Sequence, residues 1–196
     1  MIKLESLTKQ FDKKIVLNSI NYEFQEDKFY GIVGESGCGK TTLLRIISLL
    51  DEKYSGKLFV DNVDRNSLKR KEREKRRVQN FSYVFSESRL LPYLSVKENV
   101  LLPLTIQKRV YSEKRLGLLA DQRKVLNLLE RSDVTSLSEG EKQRISILRA
   151  LILDSPILIC DEPTAHLNES LGDEITSLLA SICKSEKKLV IMATHD

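Results

Sequence analysis

The sequence has few of the residues that mark secreted, membrane-spanning or unfolded chains. Its three cysteines, Cys38, Cys160 and Cys183, are widely separated, so neither a disulfide framework nor a zinc site is expected. With eight glycines and four prolines, the chain is not collagen-like or built of loops alone. No uncharged apolar run approaches the ~18 residues of a membrane helix, and the first residues lack the apolar core of a signal peptide. We therefore expect a cytosolic protein with reduced thiols.

The residues that are present indicate a folded α/β protein. Hydrophobic residues make up 41% and charged residues 31% of 196 residues, which suits one domain with a sizeable core. Short apolar runs alternate with amphipathic segments, a pattern typical of a largely parallel sheet with helices. The strongest predicted strands are Phe29–Val33, Phe81–Phe85, Ile157–Cys160 and Leu189–Ala193. Weaker candidates, expected in an edge or antiparallel element, are Ile2–Leu7 and Leu58–Val60.

The middle of the chain is predicted to be mostly helical. Ser95 and Glu98 have the spacing of a capping box before an apolar run, and Ser138 and Glu141 repeat it before a helix that runs to about Leu153. The segment 112–132 also favours helix. We therefore predict a helical subdomain at about 87–150, inserted into a core formed by about 1–86 and 151–196.

The positive charge is concentrated in one segment. Lys69–Arg77 holds seven basic and two acidic residues, a net of +5, so the rest of the chain sums to −1 within the total of +4. A solvated helix face is one interpretation, and a patch for nucleic acid or anionic lipid is the other. Nucleic acid is disfavoured because no aromatic residues are interleaved for base stacking.

A glycine-rich loop fits the pattern G-x-x-x-x-G-K-[ST]. The apolar strand Phe29–Val33 precedes it and the apolar segment Leu43–Leu50 follows it, as a phosphate-binding loop requires. Inward-pointing backbone N–H groups form an anion site, Lys40 brings a charge to the β- and γ-phosphates, and Thr42 can donate to the α-phosphate. The Thr41 hydroxyl can bind Mg²⁺. The alternative is an ordinary glycine turn before a helix. The loop comprises Gly34, Glu35, Ser36, Gly37, Cys38, Gly39, Lys40 and Thr41.

Two carboxylates follow the apolar strand Ile157–Cys160. At the carboxyl end of a buried strand, Asp161 is expected beside Mg²⁺ through a water, and Glu162 is expected to act on an attacking water. The alternative is a simple strand-end turn, because Asp-Glu-Pro is also common in turns.

Together these motifs resemble the nucleotide-binding subunit of ATP-binding-cassette (ABC) transporters over essentially the whole chain. Leu137–Arg144 looks like the family signature LSGGQ-x-QR, and Asp161–Thr164 matches its DEPT motif. Thr194–Asp196 resembles the switch-histidine motif, and Phe11 lies where the family has an aromatic residue that stacks on adenine. The segment 90–100 is similar to the subgroup that serves lipoprotein, macrolide and bacteriocin export.

This resemblance implies a fold and a mechanism. The expected fold is a P-loop NTPase core with a mainly parallel sheet, a small antiparallel β element and an inserted helical subdomain. Two subunits, here a homodimer, would sandwich ATP and Mg²⁺, with Ser138 and Gly140 of one copy touching the γ-phosphate bound by the other. His195 would also contact that phosphate. Hydrolysis would drive an ABC permease, which would hold the subunit at the inner face of the membrane.

The sequence also departs from the family pattern. Ser86 replaces a glutamine that ligates Mg²⁺, so the expected metal residues are Thr41, Asp161 and Ser86. Glu139 and Glu141 add carboxylates to the signature, and Asn168 replaces an aspartate at the subunit seam. The family usually continues beyond Asp196. A weakly hydrolysing regulatory cassette and a soluble ABC ATPase that acts on nucleic acid remain alternatives. Three structural alternatives also remain. Phe11 could be a core residue, His195 could be an ordinary surface histidine, and the signature could be only a capped core helix.

Overall fold

The computed structural model describes residues 1–195, and Asp196, which belongs to the predicted switch-histidine motif, lies outside this range. The strands are β1 (Ile2–Phe11), β2 (Lys14–Phe24), β3 (Phe29–Val33), β4 (Ser55–Val60), β5 (Val63–Asp64), β6 (Phe81–Val84), β7 (Ile157–Asp161) and β8 (Leu189–Thr194). The helices are α1 (Lys40–Ile47), α2 (Arg70–Asn80), α3 (Val96–Ile106), α4 (Glu113–Gln122), α5 (Glu139–Leu151) and α6 (Glu169–Glu186), with 3₁₀ turns at Arg65–Ser67 and Leu126–Leu128.

A parallel sheet with the order β3-β8-β7-β6 forms the centre of the molecule. All five residues of β7 are buried, in keeping with a strand covered on both faces. The four strongly predicted strands are confirmed, and so is the α/β architecture. Because parallel strands share a carboxyl edge, the loop after β3 and the end of β7 lie on the same side of the sheet.

The second sheet is antiparallel, in the order β2-β1-β4-β5. The weaker strand candidates at 2–7 and 58–60 belong to it, and both strands are longer than predicted. Its apolar face shares one buried cluster with helix α1 and the parallel sheet, including Leu4, Leu58 and Leu44. Helix α1 is therefore held against both sheets, and the glycine-rich loop is held with it.

The helical segment has a hydrophobic cluster of its own. Val100 of α3, Leu116 of α4 and Leu148 of α5 are buried together there. Other residues of α5, such as Ile147 and Leu151, pack instead with the parallel sheet and α6. Since α5 contributes to both clusters, the boundary at about residue 150 stays a prediction.

Both predicted capping boxes are present. The Ser95 amide donates to the Glu98 carboxylate at 2.8 Å, and the Ser138 amide donates to that of Glu141 at 2.9 Å. Helix α5 ends two residues before the predicted Leu153. Most of the basic run lies in α2, which has no buried residue; this exposure fits both a solvated helix face and a charged binding patch, so the choice between them stays a prediction. Within residues 1–195, no helix is both long and apolar enough to cross a membrane.

Candidate nucleotide-binding site

The glycine-rich loop connects β3 to α1 through a glycine that no other residue can replace without strain. Gly39 precedes the helix with φ 108°. A Cβ atom there would lie 2.8 Å from a methyl of Val16 and 3.1 Å from the Val16 carbonyl oxygen. The conformation and the close approach of β2 therefore both require glycine. This arrangement turns the amino end of α1 toward the loop.

Lys40 lies across the loop. Its side chain is almost fully buried, and Nζ donates to the carbonyl oxygens of Gly34 and Glu35 at 2.6 and 3.0 Å. The same nitrogen is 3.3 Å from the Glu162 carboxylate. One ammonium therefore connects the loop to the acidic strand end, as the motifs predict for two parts of one site.

Asp161 accepts hydrogen bonds on both carboxylate oxygens. The Thr41 hydroxyl donates to Oδ1 at 2.8 Å, and the Tyr83 hydroxyl donates to Oδ2 at 3.0 Å. Burial, followed by the charge of Asp161, raises the pKa of Tyr83 well above its usual range. At neutral pH the Tyr83 hydroxyl therefore keeps its proton and acts as a donor.

Sequence reasoning missed Tyr83, because the relation that places it in the site is the strand register, which the structure supplies. Tyr83 pairs with Ile159 across β6 and β7, and side chains two apart on a strand share a face. Tyr83 therefore lies on the face of β7 that carries Asp161. From the sequence alone, a tyrosine within an apolar run is expected to pack in the core, because its hydrogen-bond partner depends on the strand register.

The donor set fits Mg²⁺. Because Thr41 gives its proton to Asp161, the lone pairs of its hydroxyl oxygen remain free for a cation. Magnesium takes few protein oxygens and keeps several waters. Within residues 1–195, no group of three or more histidine, cysteine, aspartate or glutamate side chains is placed to hold a metal ion.

A pocket of about 220 Å³ joins the elements of the site. It is lined by Phe11, Val16, Gly37, Gly39, Lys40, Thr41, Thr42 and Glu162. The Phe11 ring is 48% exposed and lies under the Lys9 ammonium, 4.7 Å from the ring centroid. The alternative that Phe11 is a core residue is therefore wrong. Within the loop, Glu35, Ser36 and Cys38 are exposed.

Glu162 is placed by an unusual backbone conformation. Its φ is 49°, in the left-handed region that residues other than glycine rarely adopt. Its amide donates to the Ala193 carbonyl at 3.0 Å, so the ends of β7 and β8 are tied together. As a result, Nδ1 of the half-exposed His195 is 3.8 Å from the Glu162 carboxylate.

Other predicted residues do not line this pocket. Ser86 lies two residues after β6, and the carboxylate of Asp161 takes its hydrogen bonds from Thr41 and Tyr83 rather than from Ser86. Ser138 is at the amino end of α5, while Gly140 is buried against the Leu171 side chain of α6.

The signature carboxylates have partners of their own. Glu141 accepts from the amide and hydroxyl of Ser138 at 2.9 and 3.0 Å, and Glu139 is 2.7 Å from the Lys142 ammonium. The expectation that Glu141 is occupied by the capping box is confirmed. Asn168 caps α6 by accepting from the Leu171 amide at 3.0 Å, a task that asparagine and aspartate perform equally well.

The sequence profile of the family described as "ABC transporter" matches residues 17–165. The chain is 36% identical over 205 residues to the uncharacterized ABC transporter ATP-binding protein MJ0796 of Methanocaldococcus jannaschii, covering 100% of this chain and 87% of that protein. A solved dimeric, post-hydrolysis state of the MJ0796 cassette bound to ADP and Pi has a TM-score of 0.86 and 32% identity, and covers 100% of this chain and 88% of that one.

Two further relatives differ in the direction of transport that their names state. The macrolide export ATP-binding/permease protein MacB of Campylobacter fetus is 37% identical, covering 100% of this chain and 31% of MacB. The methionine import ATP-binding protein MetN of Legionella pneumophila (strain Lens) is 35% identical, covering 100% of this chain and 58% of MetN.

Proposed function

The chain belongs to the ABC transporter family of ATP-binding subunits, and from this premise we propose that residues 34–42, Asp161 and Glu162 form its magnesium–ATP site. The protein is an ATP-hydrolysing subunit that powers a membrane transporter. The observation that carries the site is the pocket that joins Phe11, Lys40 and Glu162.

Each side chain has a distinct task in this site. Lys40 turns from the Gly34 and Glu35 carbonyls to the phosphates, where its charge is better compensated. Phe11 offers an exposed ring face to adenine, and the Thr42 hydroxyl donates to the α-phosphate. Thr41 and Asp161 would hold Mg²⁺, which would supply neutralisation of the phosphate charge when bound.

Glu162 is the proposed general base. It takes a proton from the attacking water, a role that typically accelerates a reaction by about 10²–10⁴-fold. His195, adjacent to that carboxylate, contacts the γ-phosphate. Thr41 and Asp161 hold the metal, while Ser86 contributes at most a hydroxyl from a position beyond β6.

We propose that two copies of the chain close over the nucleotide. Ser138 and Gly140 lie outside the pocket of their own chain. Ser138 is exposed and is therefore available to the γ-phosphate of a second copy, whereas Gly140 is buried against Leu171 and would have to become accessible when the two copies close. The amino end of α5 attracts an anion. The Glu139 carboxylate repels a bound phosphate less than its charge suggests, because it is paired with the Lys142 ammonium. The dimeric MJ0796 structure supports this arrangement.

The proposed partner is an ABC permease, which would keep the subunit at the cytoplasmic face of the membrane. A groove of about 460 Å³ lies where β6, α3 and α5 meet and is the candidate docking surface. Apolar residues such as Leu102 and Ile106 line it together with Arg77, Arg89 and Arg149. An apolar segment with acidic residues fits that lining.

The proposed direction of transport is export, with a bacteriocin, peptide or lipoprotein as cargo. The segment 90–100 and the similarity to MacB support export, whereas the similarity to MetN supports import. A regulatory, weakly hydrolysing cassette is the second candidate. It is favoured by the short side chain of Ser86, which makes no hydrogen bond with Asp161. The nucleic-acid alternative has only the basic face of α2 in its support.

The test compares the wild-type protein with Glu162→Gln and with the control Glu130→Gln, whose side chain is exposed in the helical part. We expect Mg²⁺-dependent ATP hydrolysis by wild type and control. Glu162→Gln should lose at least about 100-fold of that rate and form an ATP-bound dimer, seen by light scattering. Equal rates for wild type and Glu162→Gln would refute the assigned base. Tight ATP binding without turnover by the wild type would favour the regulatory cassette.

A further inference from the structure

We propose that Tyr83 is a positioning residue for the magnesium site, and that it acts by holding the Asp161 carboxylate in one orientation. This inference rests on the proposed function and assigns a role to a residue outside the sequence motifs. The Tyr83 hydroxyl touches neither nucleotide nor metal in this proposal.

The geometry is a two-point hold on one carboxylate. Thr41 donates to Oδ1 and Tyr83 donates to Oδ2, at 2.8 and 3.0 Å. Rotation of the carboxylate about its terminal bond would weaken both hydrogen bonds together. The direction of the Thr41 proton, and so the direction of its lone pairs, therefore depends on the contact between Tyr83 and Asp161.

The tyrosine is suited to this task because its ring is fixed. It packs against the central apolar cluster and against Phe85, with ring centroids 4.4 Å apart. Holding the hydroxyl in place therefore costs little additional side-chain entropy. The hydroxyl donates to Oδ2 of Asp161, and a largely buried carboxylate needs a donor at each oxygen.

Tyr83 also accounts for how the site remains ordered without a long side chain at position 86. Ser86 makes no hydrogen bond with Asp161, whose Oδ2 bonds to Tyr83 instead. From this side of the sheet, β6 thus reaches the acidic strand end through Tyr83. Asp161 of β7 is therefore oriented by Tyr83, a residue within β6, rather than by Ser86, which follows β6.

The test measures binding of a non-hydrolysable ATP analogue by calorimetry, in excess Mg²⁺ and in EDTA. We expect Tyr83→Phe to weaken binding about tenfold in Mg²⁺, the effect of losing a hydrogen bond to a charged group. Binding in EDTA should change less than twofold. Tyr30→Phe is the matched control, because the Tyr30 hydroxyl in the same cluster accepts a hydrogen bond from the backbone N–H of Gln25 and makes none with Asp161.

Two further measurements separate positioning from simple destabilisation. In an Asp161→Asn background, Tyr83→Phe should have no additional Mg²⁺-dependent effect. In the Tyr83→Phe protein, the electron paramagnetic resonance spectrum of Mn²⁺ bound with the analogue should broaden relative to wild type. If Tyr83→Phe does not fold, Tyr83→Met removes the hydroxyl while filling the apolar space.

The outcomes are distinguishable. Equal weakening in Mg²⁺ and EDTA would show a structural role and overturn the inference, as would unchanged binding by Tyr83→Phe in Mg²⁺. If wild-type binding does not respond to Mg²⁺, the proposed magnesium–ATP site itself fails.

Discussion

A buried ion pair joins the helical part of the chain to the end of α6. Arg123, which follows α4, has a side chain that is 2% exposed, and it is paired with Glu186, whose side chain is 19% exposed. The same guanidinium donates to the Leu119 carbonyl and to Gln122, both at 2.9 Å. Burial lowers the pKa of Arg123, and the Glu186 charge opposes that shift.

We expect Glu186→Gln to lower the free energy of unfolding by about 3 kcal/mol. Removing one partner of a buried pair typically costs about 3–5 kcal/mol, because the other charge is left uncompensated. Glu186 is partly exposed and Arg123 keeps its other hydrogen bonds, so we expect a loss at the lower end of that range of about 3–5 kcal/mol. The double variant Arg123→Met/Glu186→Leu should cost less than the single one, since it removes both desolvated charges.

Urea denaturation followed by circular dichroism measures both effects. The urea concentration at the midpoint of unfolding should fall, while the slope of the unfolding free energy against urea concentration stays constant. Lys97→Met is the control, because its pair with Glu113 is exposed and should be worth at most about 1 kcal/mol. A loss below about 1 kcal/mol for Glu186→Gln, or a double variant as unstable as the single one, would refute this reasoning.

Three further outcomes follow from the geometry. Gly39→Ala should abolish ATP binding in an equilibrium assay while the chain stays folded, because its Cβ meets Val16; near-normal affinity would contradict that steric argument. Hydrogen bonds from the Ser95 hydroxyl, followed by its amide, lower the pKa of Glu98, so Ser95→Ala should raise it toward its ordinary value in an NMR titration. Because the folded-state pKa of Glu98 is the lower one, its stabilising effect is present above the unfolded pKa and is lost as pH falls through the folded pKa. Leu148→Ala should cost about 2–5 kcal/mol by leaving a cavity between α3, α4 and α5; a loss below about 1 kcal/mol in thermal unfolding would refute the packing described for that cluster.

The sequence was most informative where one residue type has one physical use. Buried parallel strands require continuous apolar runs, and serine with glutamate three residues later identifies a helix start, so these elements were predictable. Tyr83 was not predictable, because a tyrosine in such a run satisfies the core equally well and its hydroxyl partner depends on strand register. The left-handed backbone of Glu162 was also hidden, since it accompanies a hydrogen bond from its amide to the Ala193 carbonyl of a neighbouring strand, and that pairing is not visible in the sequence.

The two separate apolar clusters on either side of α5 have a mechanical consequence. Because α5 packs in both clusters, a tilt of α3 and α4 relative to the central sheet would have to move α5 as well or repack one of its two faces. Polar links would resist the tilt together with this apolar packing, among them Arg123 with Glu186 and Arg149 with the carbonyls of residues 88 and 89. The largely buried pair of Arg123 with Glu186 would oppose such a tilt most strongly, because separating it leaves a desolvated charge without its partner.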